Sequence, residues 1–317
     1  MRKTVMLIGE PMGLFIAKES GTLEDINEFT TAIAGAEINV SIGLKRLGHD
    51  VIYITKLGKD PFGKKVEKLL DSNSIDRNFV SYSDERFTGF MLKSKVNNGD
   101  PDIYYYRKNS AASTINVKDL QRINIEKCDY LHITGIFPAL NKDTFEATLY
   151  LMKRAKELRK TIFFDPNLRP QLWGGQDKMI KGINDLAVYA DYILPGISEG
   201  KILTNKENKE DISDFYHLLG IKNVIIKLGS KGAYISVKTE TGKETHIIEG
   251  FKAKVVDTVG AGDGFAAGVI SAIAEGLDIS KAVKRGNAIG AMQVMSIGDN
   301  DGLPNRDELS KFMREII

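Results

Sequence analysis

The chain has 317 residues, 42% hydrophobic and 27% charged, a composition that can build a sizeable core in one large domain or two. Its formal net charge is +2 with both signs interspersed, which excludes the dense charged face of a nucleic-acid or membrane-surface binder. The apolar runs are strand-sized, short of the roughly 20 residues of a membrane span, and the single cysteine, Cys128, can form no internal disulfide.

A strand is predicted at residues 5–8, ending at Gly9. The apolar run after Met1-Arg2-Lys3-Thr4 is too short for a secretory core, so a reducing cytoplasm is the expected compartment. From Ala36 to Leu47 the residues Ala36, Val40, Leu44 and Leu47 share one face, the pattern of an amphipathic helix stopped by Gly48. A strand follows at 51–55, and Pro61 can open the next helix because its missing N–H costs nothing there. Segments at about 13–30 and 88–107 break the rhythm. Thr88-Gly89-Phe90-Met91-Leu92 and Ile103-Tyr104-Tyr105-Tyr106 flank a turn built from Asn97-Asn98-Gly99-Asp100-Pro101, which predicts a β-hairpin of a small separate sheet. Further strands are expected at 130–133, 162–164, 192–194 and 224–226, with a helix from Lys142 to Lys160 among the segments between them. Apolar strands spaced by helices indicate an α/β fold with a mainly parallel sheet covered on both faces. With no linker, repeat or low-complexity tract, residues 1–317 read as a single domain with a lid inserted from about 13–30 and 88–107.

The sharpest motif is Asp257-Thr258-Val259-Gly260-Ala261-Gly262-Asp263-Gly264, between an extended stretch at 254–256 and a helix of small residues running to about Ala274. Glycines let backbone N–H groups approach an anion, and a helix start adds partial positive charge. Together they suit the charge on a phosphoryl group in transfer. Asp263, in the first turn, could take the proton of an attacking hydroxyl. On spacing alone the same residues also suit a tight loop with an aspartate at a helix start. A Gly-x-x-x-x-Gly-Lys-Ser/Thr phosphate loop does not occur, and Gly9 is followed by Glu10-Pro11-Met12-Gly13 rather than a dinucleotide fingerprint.

This segment resembles the C-terminal signature of the ribokinase-like (PfkB) carbohydrate kinases, and Ala34-Gly35-Ala36-Glu37-Ile38-Asn39 resembles their N-terminal signature, with alanine in place of the first glycine. The resemblance implies a three-layer α/β/α sandwich with a small β-sheet lid that closes over the substrate, and often pairs subunits into a homo-oligomer. It implies ATP and Mg²⁺ as cofactors. Asp263 would be the catalytic base and Gly260, Ala261 and Gly262 the anion hole. Lys227, Gly229 and Gly232 would line the nucleotide, together with Gly196, Gly260 and Gly262, and Asn287 would meet adenine. In the stretch Gly196-Ile197-Ser198-Glu199, Glu199 would serve the metal, while the family's asparagine is missing at position 196.

Two arginines bear on the substrate. Arg107 ends the tyrosine run, and Arg169 lies in the proline-stiffened loop Asp165-Pro166-Asn167-Leu168-Arg169-Pro170 after a strand, where ligands of open α/β sheets collect. A guanidinium fork suits a carboxylate. The run Tyr105-Tyr106-Arg107 with the Arg169 loop resembles the 2-keto-3-deoxygluconate kinases, which implies that Gly35, Tyr105, Arg107, Arg169 and Asp263 contact a sugar acid and that Phe90 lines its pocket. Another PfkB sugar kinase, such as a 5-keto-2-deoxygluconate kinase or a fructokinase, or a silent sensor on the same fold, are the alternatives. His49, His132, His217 and His246 are scattered with no ligand spacing.

Overall fold

The structure, a computed structural model, describes residues 2–95 and 102–315. Strands β1 (Thr4–Ile8), β2 (Met12–Ser20), β3 (Phe29–Ala34), β4 (Asp50–Gly58), β5 (Val80–Ser83), β6 (Phe90–Lys95) and β7 (Ile103–Tyr106) come from the first third of the chain. They are followed by β8 (Tyr130–Thr134), β9 (Thr161–Asp165), β10 (Tyr192–Ile193), β11 (Asn223–Lys227), β12 (Ala233–Thr239) and β13 (Gly242–Ile248). Among the described residues nine strands form one sheet in the order β13-β12-β11-β10-β9-β8-β1-β4-β5. It is parallel from β5 to β11, and an antiparallel hairpin, β12 with β13, closes one edge.

Successive strand residues serve opposite faces. Val5 and Leu7 of β1, with Val51 and Tyr53 of β4, enter the core on one side of the sheet; Met6, Ile8, Ile52 and Ile54 enter the core on the other. That is why the strands read as continuous apolar runs rather than as alternation. The three-layer sandwich expected from the resemblance is the observed one.

Helix α1 (Ala36–Arg46) departs from its amphipathic pattern, since every residue from Ala36 to Leu44 is buried. It lies against the helix at Ala261–Ala274 and against β1, β4 and β8, so even its polar residues Glu37, Asn39 and Ser41 face protein. Two glycines set packing distances along the helix Ala261–Ala274, one against α1 and one against a later helix. A side-chain carbon on Gly43 would meet Ala267 at 2.8 Å, and one on Gly268 would meet Gly286 of the helix Ile279–Gln293 at 2.8 Å.

The lid is a second sheet in the order β3-β2-β6-β7, mixed because β2 pairs with β6 in parallel. It reaches Ala34, four residues past the predicted boundary. The predicted turn at 97–101 lies outside the described residues. The inner face of the lid carries Met12, Leu14, Ala34 and Met91, with Ile103 and Tyr105 packed against them. The outer face carries aromatic rings: Phe90 stacks on Tyr106 at 4.8 Å and lies 6.0 Å from Phe15 and 6.1 Å from Phe62. The extended stretch expected before the glycine motif joins neither sheet. Residues 254–256 form a loop, held where Val256 and Asp257 both donate their N–H to the carbonyl of Val294.

Candidate active site

The glycine motif and the two arginines meet at the carboxyl ends of the central strands. Gly260 has φ 77° and starts the helix Ala261–Ala274, and no side chain caps it. The first-turn N–H groups of a helix have no intrahelical partner, so at Ala261, Gly262 and Asp263 they are left for an anion. The left-handed backbone at Gly260 favours glycine, and a side-chain carbon there would also collide with the carbonyl of Asp299.

Asp263 is half-buried at the floor of a cavity of about 300 Å³ that is also lined by Gly35, Tyr105, Arg107, Arg169, Lys227 and Gly260. Burial pushes its carboxyl up to about 7; the amide donor of Asn39 opposes that rise, Asp165 adds to it, Arg169 opposes it and Glu37 adds to it. Asn39 donates Nδ2–H to Asp263 Oδ2 at 2.8 Å, and its own carbonyl accepts from Asn300 Nδ2 at 3.2 Å. The amide of Asn39 is therefore oriented from behind. Arg46, on the same helix, anchors the 300–303 loop by donating Nη1–H to the carbonyls of Asn300 (3.0 Å) and Leu303 (2.7 Å). Replacing Asn39 with alanine removes the donor that favours the ionised Asp263 carboxylate, the group expected to act as base. The acidic limb of a pH profile of kcat/KM should then move to higher pH, with kcat reduced, and a titration of activity between pH 5.5 and 9 checks this.

A second, smaller cavity lies on the other side of the helix start. It is lined by Lys227, Gly229, Gly232, Ala261, Gly262, Phe265 and Asn287. The two cavities meet at Lys227 and Gly262, which line both. Lys227 Nζ lies 2.9 and 2.7 Å from the two oxygens of Asp165. Burial works to lower the Lys227 ammonium, yet Asp165, with Glu199 adding to it, holds it above its ordinary value, so it stays charged.

The expected residues fall into place unevenly. Gly35, Tyr105, Arg107, Arg169 and Asp263 line the first cavity together. Phe90 does not: its register partner is Tyr106, so its ring points to the outer lid face, and its neighbour Met91 lines the cavity instead. Arg107 lies over the Tyr105 ring at 5.8 Å, but it is already paired. Its Nε donates to Glu10 Oε2 at 2.7 Å, and Nη2 stands 2.6 Å from the same oxygen at an angle too oblique for a good hydrogen bond. Ser110 donates to the other Glu10 oxygen. Arg169 spends one donor on the carbonyl of Leu168 at 2.8 Å and has no carboxylate ion-pair partner among the described residues.

Of the residues expected around the nucleotide, Gly196 lines neither cavity. It caps the helix Ile197–Thr204 and bridges to Lys227. Glu199 accepts from the N–H of Gly196 (2.6 Å) and of Leu168 (2.7 Å), so it caps that helix and pins the loop that carries Arg169. Asn287 donates both amide hydrogens to the carbonyls of Ile248 and Glu249 at 3.0 Å, which leaves only its oxygen for a ligand.

The family described as pfkB family carbohydrate kinase matches residues 2–306. The chain belongs to it. This PfkB kinase is thus a phosphotransferase acting on a sugar hydroxyl. It is similar to the 2-dehydro-3-deoxygluconokinase of Bacillus subtilis (strain 168), with 46% identity over 315 residues, 99% of this chain and 96% of the relative. A crystal structure of a PfkB protein from Polaromonas sp. JS666 is 42% identical, with a TM-score of 0.88 over 97% of this chain and 99% of that one. A sugar kinase from Pyrococcus horikoshii in complex with ATP is 27% identical, with a TM-score of 0.83 over 99% of this chain and 100% of that one. No described helix is long and apolar enough to cross a membrane.

Asn39, Glu10, Glu37 and Asp299 also line the first cavity, although the sequence motifs did not single them out as site residues. Asn39 carried the clearest signal, standing one helical turn after Gly35 in the signature already quoted. Burial pushes the Glu37 carboxyl up, countered by a hydrogen bond from Thr134.

Proposed function

We propose that this protein uses ATP to phosphorylate the terminal hydroxyl of 2-keto-3-deoxygluconate, giving 2-keto-3-deoxy-6-phosphogluconate and ADP. The observation that carries this reading is the junction at Gly262 and Lys227. A cavity with a carboxylate base and an arginine that forms no ion pair among the described residues opens there onto a second cavity lined by glycines. The sugar acid fits the first, with its carboxylate on Arg169 and the remaining donors of Arg107. Its far hydroxyl then faces Asp263. The nucleotide fits the second, where Gly229, Gly232 and the oxygen of Asn287 offer backbone and amide contacts.

In the reaction the sugar oxygen forms a bond to the γ-phosphorus as the bond to the β–γ bridging oxygen breaks. Asp263 takes the hydroxyl proton and steers the oxygen. The helix-start N–H groups and the Lys227 ammonium hold the charge on the moving phosphoryl. The lid excludes water, the competing acceptor.

The donor set suits a Mg²⁺ that keeps most of its water and rides on the nucleotide. Among the described residues no cluster of three or more His, Cys, Asp or Glu side chains forms a closed metal cage. Glu199 and Asp165 supply the nearby negative charge, and the ion would neutralise the β- and γ-phosphates.

Steady-state kinetics with purified protein on a panel of sugar acids and neutral sugars tests the reading. Sugar acids should give the higher kcat/KM; a preference for fructose or ribose would remove it. We also place the protein in the cytoplasm, where ATP is at hand and the buried Cys128 thiol stays reduced, with neither nucleic acid nor membrane as a partner. A homo-oligomer through the lid is part of the same proposal. Tyr104 and Tyr106 are 59% and 50% exposed on its outer aromatic face, an area that pairing would cover. Sedimentation velocity should show a dimer or larger species, which Tyr106→Asp should shift toward monomer.

A further inference from the structure

Among the described residues, two ion pairs tie the lid to the body, and they differ in what they touch. Arg107–Glu10, with side chains 5% and 1% exposed, joins the end of β7 to the loop after β1. Lys93–Asp257 joins β6 of the lid to the first residue of the anion-hole motif, Nζ to Oδ2 at 3.0 Å. The other oxygen of Asp257 accepts from the N–H of Val259 at 3.1 Å, in the turn that delivers Gly260. One carboxylate thus spans the lid ammonium and the backbone of the hole.

A second carboxylate stands beside it. Asp299 is 8% exposed and lines the sugar-side cavity. Burial pushes it up to about 6, with Lys93 opposing the rise and Asp257 adding to it. Its carbonyl abuts Gly260. The fully buried Gln293 locks the two loops together, donating to the carbonyls of Val259 (3.2 Å) and Gly298 (2.7 Å). Among the described residues, Lys93 is the only cation in an ion pair with Asp257, and Asp299 forms no ion pair.

We infer that Lys93 is a positioning residue that makes the anion hole depend on lid closure. With the lid down, its ammonium is paired with Asp257 and acts on the nearby Asp299 through its charge, and the turn is held in its binding shape. With the lid raised, Lys93 leaves with β6, the two like charges face each other across locked loops, and the turn relaxes. Phosphoryl transfer is thereby reserved for the state in which sugar is covered and water excluded. This inference rests on the kinase reading of the site, and goes beyond it by assigning the coupling to one side chain.

Hydrogen exchange and product stoichiometry on Lys93→Met and Lys93→Arg test it. In the methionine variant, the hydrogen-bonded amides within 258–264, those of Val259 and Gly264, should exchange about tenfold faster than in the parent, while those of β1 and β8 stay unchanged. With ATP and the sugar acid, water should more often take the γ-phosphoryl, giving ADP and inorganic phosphate. The ratio of ADP to sugar phosphate should rise by about fivefold, with kcat lowered and KM for ATP little changed. Arginine, which keeps the charge, should restore most of both. A folded Lys93→Met with unchanged exchange at 258–264 overturns the inference. So does loss of protection spread across the central sheet, or an arginine variant as damaged as the methionine one. If the parent enzyme phosphorylates no sugar or sugar acid, the kinase reading fails on the product arm, and the exchange arm still decides the role of Lys93.

Discussion

Asparagine in place of Asp263 should cut kcat by about 10²- to 10⁴-fold, the usual range for removing a general base, and should leave a protein that resists heat better at pH 8 than its parent. The two effects share a cause. The carboxyl of Asp263 is held at about 7, above the ordinary 3.8, because ionising it among protein groups is costly. Where both the folded and the unfolded chain keep the proton, below about pH 4, the group imposes no penalty. As pH rises toward 7 the unfolded chain ionises first and gains, so the folded state loses stability; above 7 the loss is constant. Asparagine has no such titration and still accepts the hydrogen bond from Asn39. The difference in melting temperature between variant and parent should therefore be small at pH 4 and grow to a plateau near pH 8. Equal pH dependence in the two proteins would mean that Asp263 ionises freely and lacks the basicity assigned to it.

Arg169→Gln should lower kcat/KM for the sugar acid by about 10²-fold, mostly through KM, because a buried, hydrogen-bonded charge pair loses one partner. Kinetics on a neutral sugar alcohol of equal length should change far less. A second consequence follows from the charge itself. Arg169 helps keep Asp263 ionised, so its loss should carry the acidic limb of the kcat/KM profile to higher pH. Arg107→Gln should behave differently. Its guanidinium is committed to Glu10, and removing it strands a buried carboxylate, an effect of about 3–5 kcal/mol on folding. Thermal melts and KM measured on both variants separate the two roles.

Much of this was legible in the chain alone. The parallel strands announced themselves as apolar runs because both of their faces are covered, and the phosphate end because glycines, a helix start and an aspartate coincide at Asp257–Gly264. The lid was legible as a break in rhythm, but the side of the sheet that faces the ligand was not. In β6 a shift of one residue exchanges Phe90 for Met91, and only the pairing with Tyr106 and Tyr105 decides between them. The role of Arg107 was half-legible. Its residue type suits a carboxylate, and it found one inside the protein, Glu10, 97 positions earlier. Glu199 stands in the expected stretch, yet its oxygens serve backbone N–H groups, a use that depends on where Leu168 lies in space. Long-range partners of this kind leave no local periodicity.

The partition at Lys227 and Gly262 has a thermodynamic corollary. A single ammonium shared by two compartments cannot answer one guest without informing the other. Whatever factor a bound nucleotide applies to the affinity for the sugar acid, the sugar acid must apply to the nucleotide. Calorimetric titrations in either order should close the same cycle.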